Sequence, residues 1–97
     1  MKLRFTPRAT QNIADIADYI RARNPNAARA VRAAIFDGLR TLLLFPNVGR
    51  LQETKGVRKL VTHKYGYLIY YTVNEATEEI IVLSVAHKAR EREHSDR

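Results

Sequence analysis

The stretch that decides the fold is GVRKLVTHKYGYLIYYTVNEATEEIIVLSVAHKAR, residues 56–90. It contains three runs rich in Val, Ile, Leu, Thr and Tyr, the residue types that suit a pleated, half-buried surface: Val57–His63, Tyr65–Val73 and Ile80–His87. The breaks between them, at residues 64–66 and 74–78, have the length of hairpin connections. The pattern therefore predicts three antiparallel strands that pair in sequence order.

The middle run, Tyr65–Val73, is apolar on both of its alternating faces. Its odd-numbered residues share one face, while Leu68 and Tyr70 lie on the other. A strand with one solvated face would alternate between apolar and polar side chains, so this run is predicted to be the central strand. Both faces of the sheet then need a cover, and the first half of the chain can supply only one.

The first half of the chain predicts a short strand and two helices. Residues 2–5 alternate between polar and apolar, as expected of a strand added to the sheet, although four residues do not determine where it pairs. Thr6–Pro7 and Asn24–Pro25 each combine a capping side chain with a proline at the first helical position, so one helix begins at each. Apolar residues then recur at helical spacing: Ile13, Ile16, Ala17 and Ile20, followed by Ala28, Val31, Ile35, Leu39 and Leu42.

The second helix is expected to end in the apolar run at residues 42–45, because Pro46 cannot continue it. The loop FPNVGR, residues 45–50, then leads into the sheet. Helices that precede an antiparallel sheet are typical of a two-layer α+β domain. We therefore predict a two-helix hairpin packed on a three- to four-stranded antiparallel sheet.

Length and composition bound the class of protein. The 97 residues predict one domain, residues 1–90, followed by a charged C-terminal tail, residues 91–97. No apolar run approaches the ~20 residues that span a bilayer, and the N-terminus has no apolar segment of signal-peptide length. We expect a soluble, cytoplasmic protein that does not enter a membrane. The lack of cysteine excludes disulfides, thiolate metal sites and a cysteine nucleophile.

The formal net charge of +7 is spread through the chain. It favours an anionic partner, either a nucleic acid or an acidic protein segment. The alternative is that the charge only keeps a small basic domain in solution and binds no anionic partner. Net charge affects association and solubility, and it does not determine the fold.

Motifs that build a cofactor or metal site are missing: there is no glycine-rich phosphate loop, no histidine pair at metal spacing and no nucleophile elbow. No cofactor and no metal is therefore predicted. The cations that could bind an anionic partner are Arg50, Arg58, Lys59, Lys64, Lys88 and Arg90.

Cleavage of RNA by its 2′-hydroxyl would also need a general base, a general acid and cations on the phosphate. The candidates for these roles are His87, Tyr70, Arg58 and Arg90. Each also has a structural interpretation: a tyrosine packs in a sheet, a histidine at a strand end is solvated, and a surface arginine is plain charge.

Taken in order, these features resemble the RelE/ParE superfamily of toxins from type II toxin–antitoxin modules over nearly the whole chain. The matching segments are LRFTPRA, ADIADYI, the second helix that begins with Asn-Pro, FPNVGR, GVRKL, YLIYYTV and IIVLSVAHKAR. The last of these ends in the pattern Val-x-His-x-x-Arg, formed by Val85, His87 and Arg90.

The resemblance implies one of two activities. RelE-like toxins cut mRNA in the ribosomal decoding site, and ParE-like toxins inhibit DNA gyrase. The nuclease branch typically carries an arginine after the Gly-Tyr of the central strand, whereas here Gly66 and Tyr67 are followed by Leu68. This difference places the chain closer to ParE.

Other positions match the nuclease branch in part. Arg58 and Lys59 resemble its lysine pair, and Lys88 or Arg90 could correspond to its later arginine, but no tyrosine follows Arg90. Three hypotheses follow: a gyrase-poisoning toxin that acts by binding, a ribosome-dependent endoribonuclease, and a degenerate member that only binds its antitoxin.

The resemblance also implies partners. A cognate antitoxin would form a hetero-oligomer with the toxin and lay an acidic, apolar segment on it, supplying the missing cover of the sheet. DNA gyrase would be the target, or else the ribosome and mRNA, and operator DNA would be bound only through the antitoxin.

Overall fold

The computed structural model describes residues 1–88, which form two helices and five strands. In chain order these are β1 (Lys2–Phe5), α1 (Pro7–Arg23), α2 (Pro25–Leu44), β2 (Arg50–Leu51), β3 (Val57–Val61), β4 (Tyr67–Asn74) and β5 (Glu79–His87). The predicted class, an α+β domain with a helix hairpin on a sheet, is confirmed. The predicted charged tail lies outside the described residues.

Both helices begin where their caps predict. The Thr6 hydroxyl accepts a hydrogen bond from the Ala9 amide at 3.0 Å, which satisfies one of the free N–H groups of the first turn of α1. Asn24 serves both helices, because its amide donates to the Ile20 carbonyl at the end of α1 while its side chain accepts from the Ala27 amide in α2. The helix hairpin is therefore encoded by residues close to its own ends.

The strands form one sheet in the order β1-β5-β4-β3-β2. β3, β4 and β5 pair antiparallel in sequence order, with β4 at the centre, as predicted. The turn between β3 and β4 is longer than predicted, because β3 ends at Val61, β4 begins at Tyr67, and Tyr65 has a φ of +67° that no strand allows. Two features differ from the expected three- to four-stranded antiparallel sheet. β1 lies at one edge and pairs parallel to β5, and Arg50–Leu51 add a fifth strand at the other edge. Two residues are too few to show an alternating pattern, so the sequence indicated only a loop there.

The helices cover one face of the sheet. The core on this face contains Tyr67, Ile69 and Tyr71 from β4, and α2 packs against it. The other buried members of this cluster are Ala9, Val31, Ile35, Leu39, Leu42, Ile80, Val82 and Val85. We call the other side of the sheet the second face.

A β-bulge in β5 changes which residues of this strand face the core. Tyr70 pairs with Ser84 and Tyr71 pairs with Val82, so Leu83 is an extra residue on β5. Strict alternation after Val82 would put Val85 on the second face, but both valines belong to the core. The bulge therefore brings the end of β5, including His87, onto the same face as the helices.

Candidate functional site

A row of polar side chains crosses the second face. Arg50 pairs with Lys59, Lys59 with Tyr70, and Tyr70 with Ser84, which places one residue from each of four neighbouring strands in line. Residues directly opposite one another project to the same face of a sheet, so these four form one surface, which we call the basic row. Its two cations and the Tyr70 hydroxyl are groups that bind carboxylates and phosphates, whereas Ser84 is buried.

Arg58, the neighbour of Lys59 in β3, projects to the helix-covered face. Its Nη1 donates to the carbonyls of Asn47 at 3.0 Å and Gly49 at 2.8 Å. Tyr71, its partner on β4, donates its hydroxyl proton to the Pro46 carbonyl and accepts from the Gly49 amide, both at 2.8 Å. Arg58 and Tyr71 together hold the loop at residues 45–49 against the sheet, and we call this pair the loop clamp.

The protonation state of Tyr71 supports this clamp. Burial raises the pKa of Tyr71 above its ordinary value of 10.0, while the hydrogen bond from the Gly49 amide and the charge of Arg58 lower it. The net direction is upward, so the hydroxyl keeps its proton at neutral pH. It can therefore donate to one loop carbonyl while it accepts from one loop amide.

The end of β5 meets the turn between β3 and β4. His87 pairs with Tyr67, and their rings make an edge-to-face contact with centroids 5.2 Å apart. The side chain of Lys88 lies beside Gly66 in the turn that also contains Lys64. The structure thus brings these two strand ends together.

A groove of about 760 Å³ lies beside this end of the sheet. One wall comes from α1, with Asn12, Asp15 and Tyr19, and the other from Tyr65 and His87. Its lining is completed by Ile16, Ile20, Ala27, Val31, Tyr67, Val85 and Ala86. His87 therefore faces a mixed polar and apolar groove and not the basic row.

The candidate proton-transfer groups do not converge. Tyr70 projects to the second face, whereas His87 and Arg58 project to the helix-covered face. His87 pairs with Tyr67 and Arg58 with Tyr71, four residues further along β4, a separation of about 13 Å along the strand. Arg90 lies outside the described residues. The basic row collects Arg50, Lys59 and Tyr70, while Lys64 and Lys88 stay at the His87 end.

Sequence reasoning missed an apolar surface around the clamped loop. Leu44, Phe45 and Leu51 expose 71%, 62% and 62% of their surface, and Val48 exposes 49%. We call these four residues the loop patch. The sequence pattern at residues 42–45 could have revealed this surface. Leu42 is the last residue of α2 that packs in the core, and the apolar run continues beyond it.

Within residues 1–88, no three His, Cys, Asp or Glu side chains are grouped so that they could hold a metal ion. No helix in this part of the chain is long and apolar enough to cross a membrane.

Comparison with known proteins identifies the family. The family model for the ParE toxin of type II toxin–antitoxin systems, parDE, matches residues 3–92. The chain belongs to the ParE toxin family. The resemblance to the RelE/ParE superfamily, closer to the ParE branch, is thereby confirmed. A curated relative of this ParE-family toxin is "Putative toxin Y4kP" of Sinorhizobium fredii, which is 33% identical over 89% of this chain and 86% of the relative.

Solved structures of low identity share the fold of this ParE-family toxin. The chromosomal ParDE system from P. aeruginosa matches with a TM-score of 0.78 and 24% identity, covering 90% of this chain and 95% of the other. A mutant of the E. coli toxin RelE in complex with a peptide of the antitoxin RelBc matches with a TM-score of 0.65 and 20% identity, covering 98% and 90%. The fold of this chain is therefore similar to that of solved structures from both the ParE and the RelE branch.

Proposed function

We propose that this toxin arrests growth by binding and poisoning DNA gyrase, without performing chemistry itself. The observation that carries the proposal is the separation of the candidate proton-transfer groups. A nuclease would need its base, acid and cations around one phosphate, within hydrogen-bond reach of the reacting atoms. Among the described residues, His87 and Tyr70 instead project to opposite faces of the sheet.

The environment of Leu68 supports the same proposal. This residue stands where the nuclease branch typically carries an arginine, and it is 2% exposed on the second face, two residues before Tyr70. A buried aliphatic side chain cannot neutralise a phosphate. The surface around the basic row therefore lacks the arginine that the nuclease branch typically carries at the position of Leu68.

The alternative function is ribosome-dependent cleavage of mRNA. The basic row favours it, because Arg50, Lys59 and Tyr70 lie together and could bind a phosphate backbone. In that case Arg50 and Lys59 would contact RNA, and His87 or Tyr70 would transfer the proton.

We propose further that a cognate antitoxin neutralises the toxin in the cytoplasm by covering the second face. The basic row and the half-exposed Val61 offer charge and apolar surface together, which suits an acidic segment with apolar anchors. The toxin would then act as one domain over residues 1–90, form a hetero-oligomer with the antitoxin, and reach operator DNA only through it. The net charge of +7 would speed this association at low salt.

The test is to express the chain from a tight promoter and to measure gyrase–DNA cleavage complexes beside primer extension on translated mRNA. We expect cleavage complexes with intact mRNA, and we expect His87→Ala to leave toxicity largely unchanged. Codon-phased mRNA cuts without DNA damage, together with a loss of about 100-fold or more in His87→Ala, would favour the nuclease instead. If neither cleavage complexes nor mRNA cuts are found, the chain is a member that only binds its antitoxin.

A further inference from the structure

The loop patch contains the three most exposed large apolar side chains of residues 1–88, those of Leu44, Phe45 and Leu51. Its four side chains lie within eight residues, and each exposes about half of its surface or more. Single exposed apolar residues are ordinary on protein surfaces, but a contiguous group marks a site of interaction. A hydrogen bond from the Val48 amide to the Phe45 carbonyl, at 3.0 Å, closes a turn that brings these two residues of the group together.

The loop that carries the patch is held in one shape. Four hydrogen bonds join the loop clamp to Pro46, Asn47 and Gly49: three are donated by the clamp and one by the Gly49 amide. No side chain fits at position 49, because a Cβ there would lie 2.6 Å from the Tyr71 hydroxyl oxygen. Fixing a binding loop before association reduces the entropy lost on binding. The clamp thus presents Phe45 and Val48 as preformed anchors.

The charge around the patch indicates the chemistry of its partner. Residues 40–59 contain five basic side chains and one acidic side chain, Glu53. Arg40 is paired with Asp37 and Arg58 is engaged in the clamp, but Arg50, next to Leu51 in β2, and Lys55, four residues further along the chain, are exposed. An apolar centre with a basic rim fits a protein surface that has an apolar pocket rimmed by carboxylates.

The position of the patch separates it from the basic row. In β2, Arg50 projects to the second face, whereas Leu51 pairs with Arg58 and projects to the helix-covered side. A segment laid on the second face would leave Leu51 uncovered. A folded protein bound to the patch would bury roughly 800 Å² of the toxin surface, however. Because β2 has only two residues, such a contact would extend from Leu51 to Arg50 and overlap with the second face.

We infer that the loop patch is the surface with which the toxin engages its target protein, and that an antitoxin on the second face blocks this contact at β2. The inference rests on the proposed function only in treating the chain as an active toxin, and it does not require the target to be gyrase. The anchors are Phe45 and Val48, and Arg58 and Tyr71 are positioning residues.

The experiment compares matched substitutions inside and outside the patch. Val48→Ser and Phe45→Ser alter the patch. Phe36→Ser is the control, because Phe36 is a phenylalanine on α2 that exposes 44% of its surface and lies outside both the patch and the second face. Each full-length variant is expressed from a tight promoter to measure growth arrest. Each is also purified to measure its thermal unfolding and its affinity for purified DNA gyrase.

We expect the two patch variants to remain folded and to lose growth arrest, with an affinity for gyrase about 30-fold lower, as for the loss of an interface hot spot. The control Phe36→Ser should arrest growth like the wild type. If the wild type produces no cleavage complexes but growth arrest still depends on the patch, the gyrase proposal fails and the inference stands.

Three results would overturn the inference. The first is growth arrest that is equal in all four proteins, or absent from the wild type. The second is patch variants that stay toxic but escape neutralisation by the cognate antitoxin, which would assign the patch to the antitoxin. The third is a wild-type dimer in light scattering that Phe45→Ser dissociates without loss of toxicity, which would assign the patch to a second copy of the chain.

Discussion

Two connections into the sheet, the loop at residues 45–49 and the turn at residues 62–66, are held by contacts of different range. The Thr62 hydroxyl donates to the Lys64 carbonyl and accepts from the Tyr67 amide, so the turn is closed by its own residues. The Tyr71 hydroxyl makes the equivalent pair of hydrogen bonds in the loop, but from 22 and 25 residues away. One connection is a local structure, and the other exists only once the sheet has formed.

The glycines of the two connections differ in the same way. Gly66 has a φ of +63° and room for a Cβ, so its requirement is the backbone angle of the turn. Gly49 is buried and faces the ring of Tyr71, so its requirement is the close approach of another strand. The same residue type thus serves a local need in one connection and a tertiary need in the other.

The largest expected effect separates these two glycines. Gly49→Ala should lower the free energy of unfolding by about 3 kcal/mol, because the new methyl group would displace Tyr71 and break the hydrogen bonds to the loop. Gly66→Ala should cost about 1 kcal/mol, the strain of an ordinary residue in the left-handed region. Urea denaturation of both variants measures the difference, and equal losses would contradict the distinction between the two connections.

A second pair of variants removes the two hydroxyls. Tyr71→Phe and Thr62→Val should each cost about 1–3 kcal/mol, since each removes a group that donates once and accepts once. Hydrogen exchange should distinguish them. Tyr71→Phe should speed exchange of the Gly49 amide and leave the Tyr67 amide protected, and Thr62→Val should do the reverse. Exchange that rises at both amides in both variants would show that the connections open together.

The smallest expected effect is alkaline destabilisation. Burial raises the pKa values of Tyr67 and Tyr71 above 10.0, so the folded state keeps these protons when the unfolded state begins to lose them. Because the folded state then binds more protons, stability should be unchanged below about pH 10 and should fall above it, by at most about 1.4 kcal/mol per pH unit for each tyrosine. Tyr71→Phe should reduce this slope and Thr62→Val should not. A stability that rises with pH in this range would contradict the assignment.

Much of the fold could be predicted from the sequence, because the signals are short-range. Thr6–Pro7 and Asn24–Pro25 locate both helix starts, and the run Tyr65–Val73, apolar on both of its faces, locates the central strand. The parallel pairing of β1 with β5 and the two-residue β2 carry no such signal. The bulge at Leu83 was equally hidden, because it appears in the register between two strands and not in either strand alone.

The candidate site was less predictable than the fold. The sequence identified cations that could bind a partner, but not which of them share a face. Lys59 and Arg58 are adjacent in β3, and the structure puts the first in the basic row and turns the second into the loop clamp. Their assignment as binding residues stays a prediction.

The sequence by itself determined the elements whose hydrogen bonds close within a few residues: the two capped helices and the central hairpin strands, although it made the turn between β3 and β4 too short. Only the tertiary structure decided the edge strands, the bulge, the basic row and the clamped loop that carries Phe45 and Val48. The physical reason for this difference is how far apart in the sequence the hydrogen-bonded groups lie. Contacts such as that of Thr6 with Leu83, 77 residues apart, depend on packing that no local segment specifies.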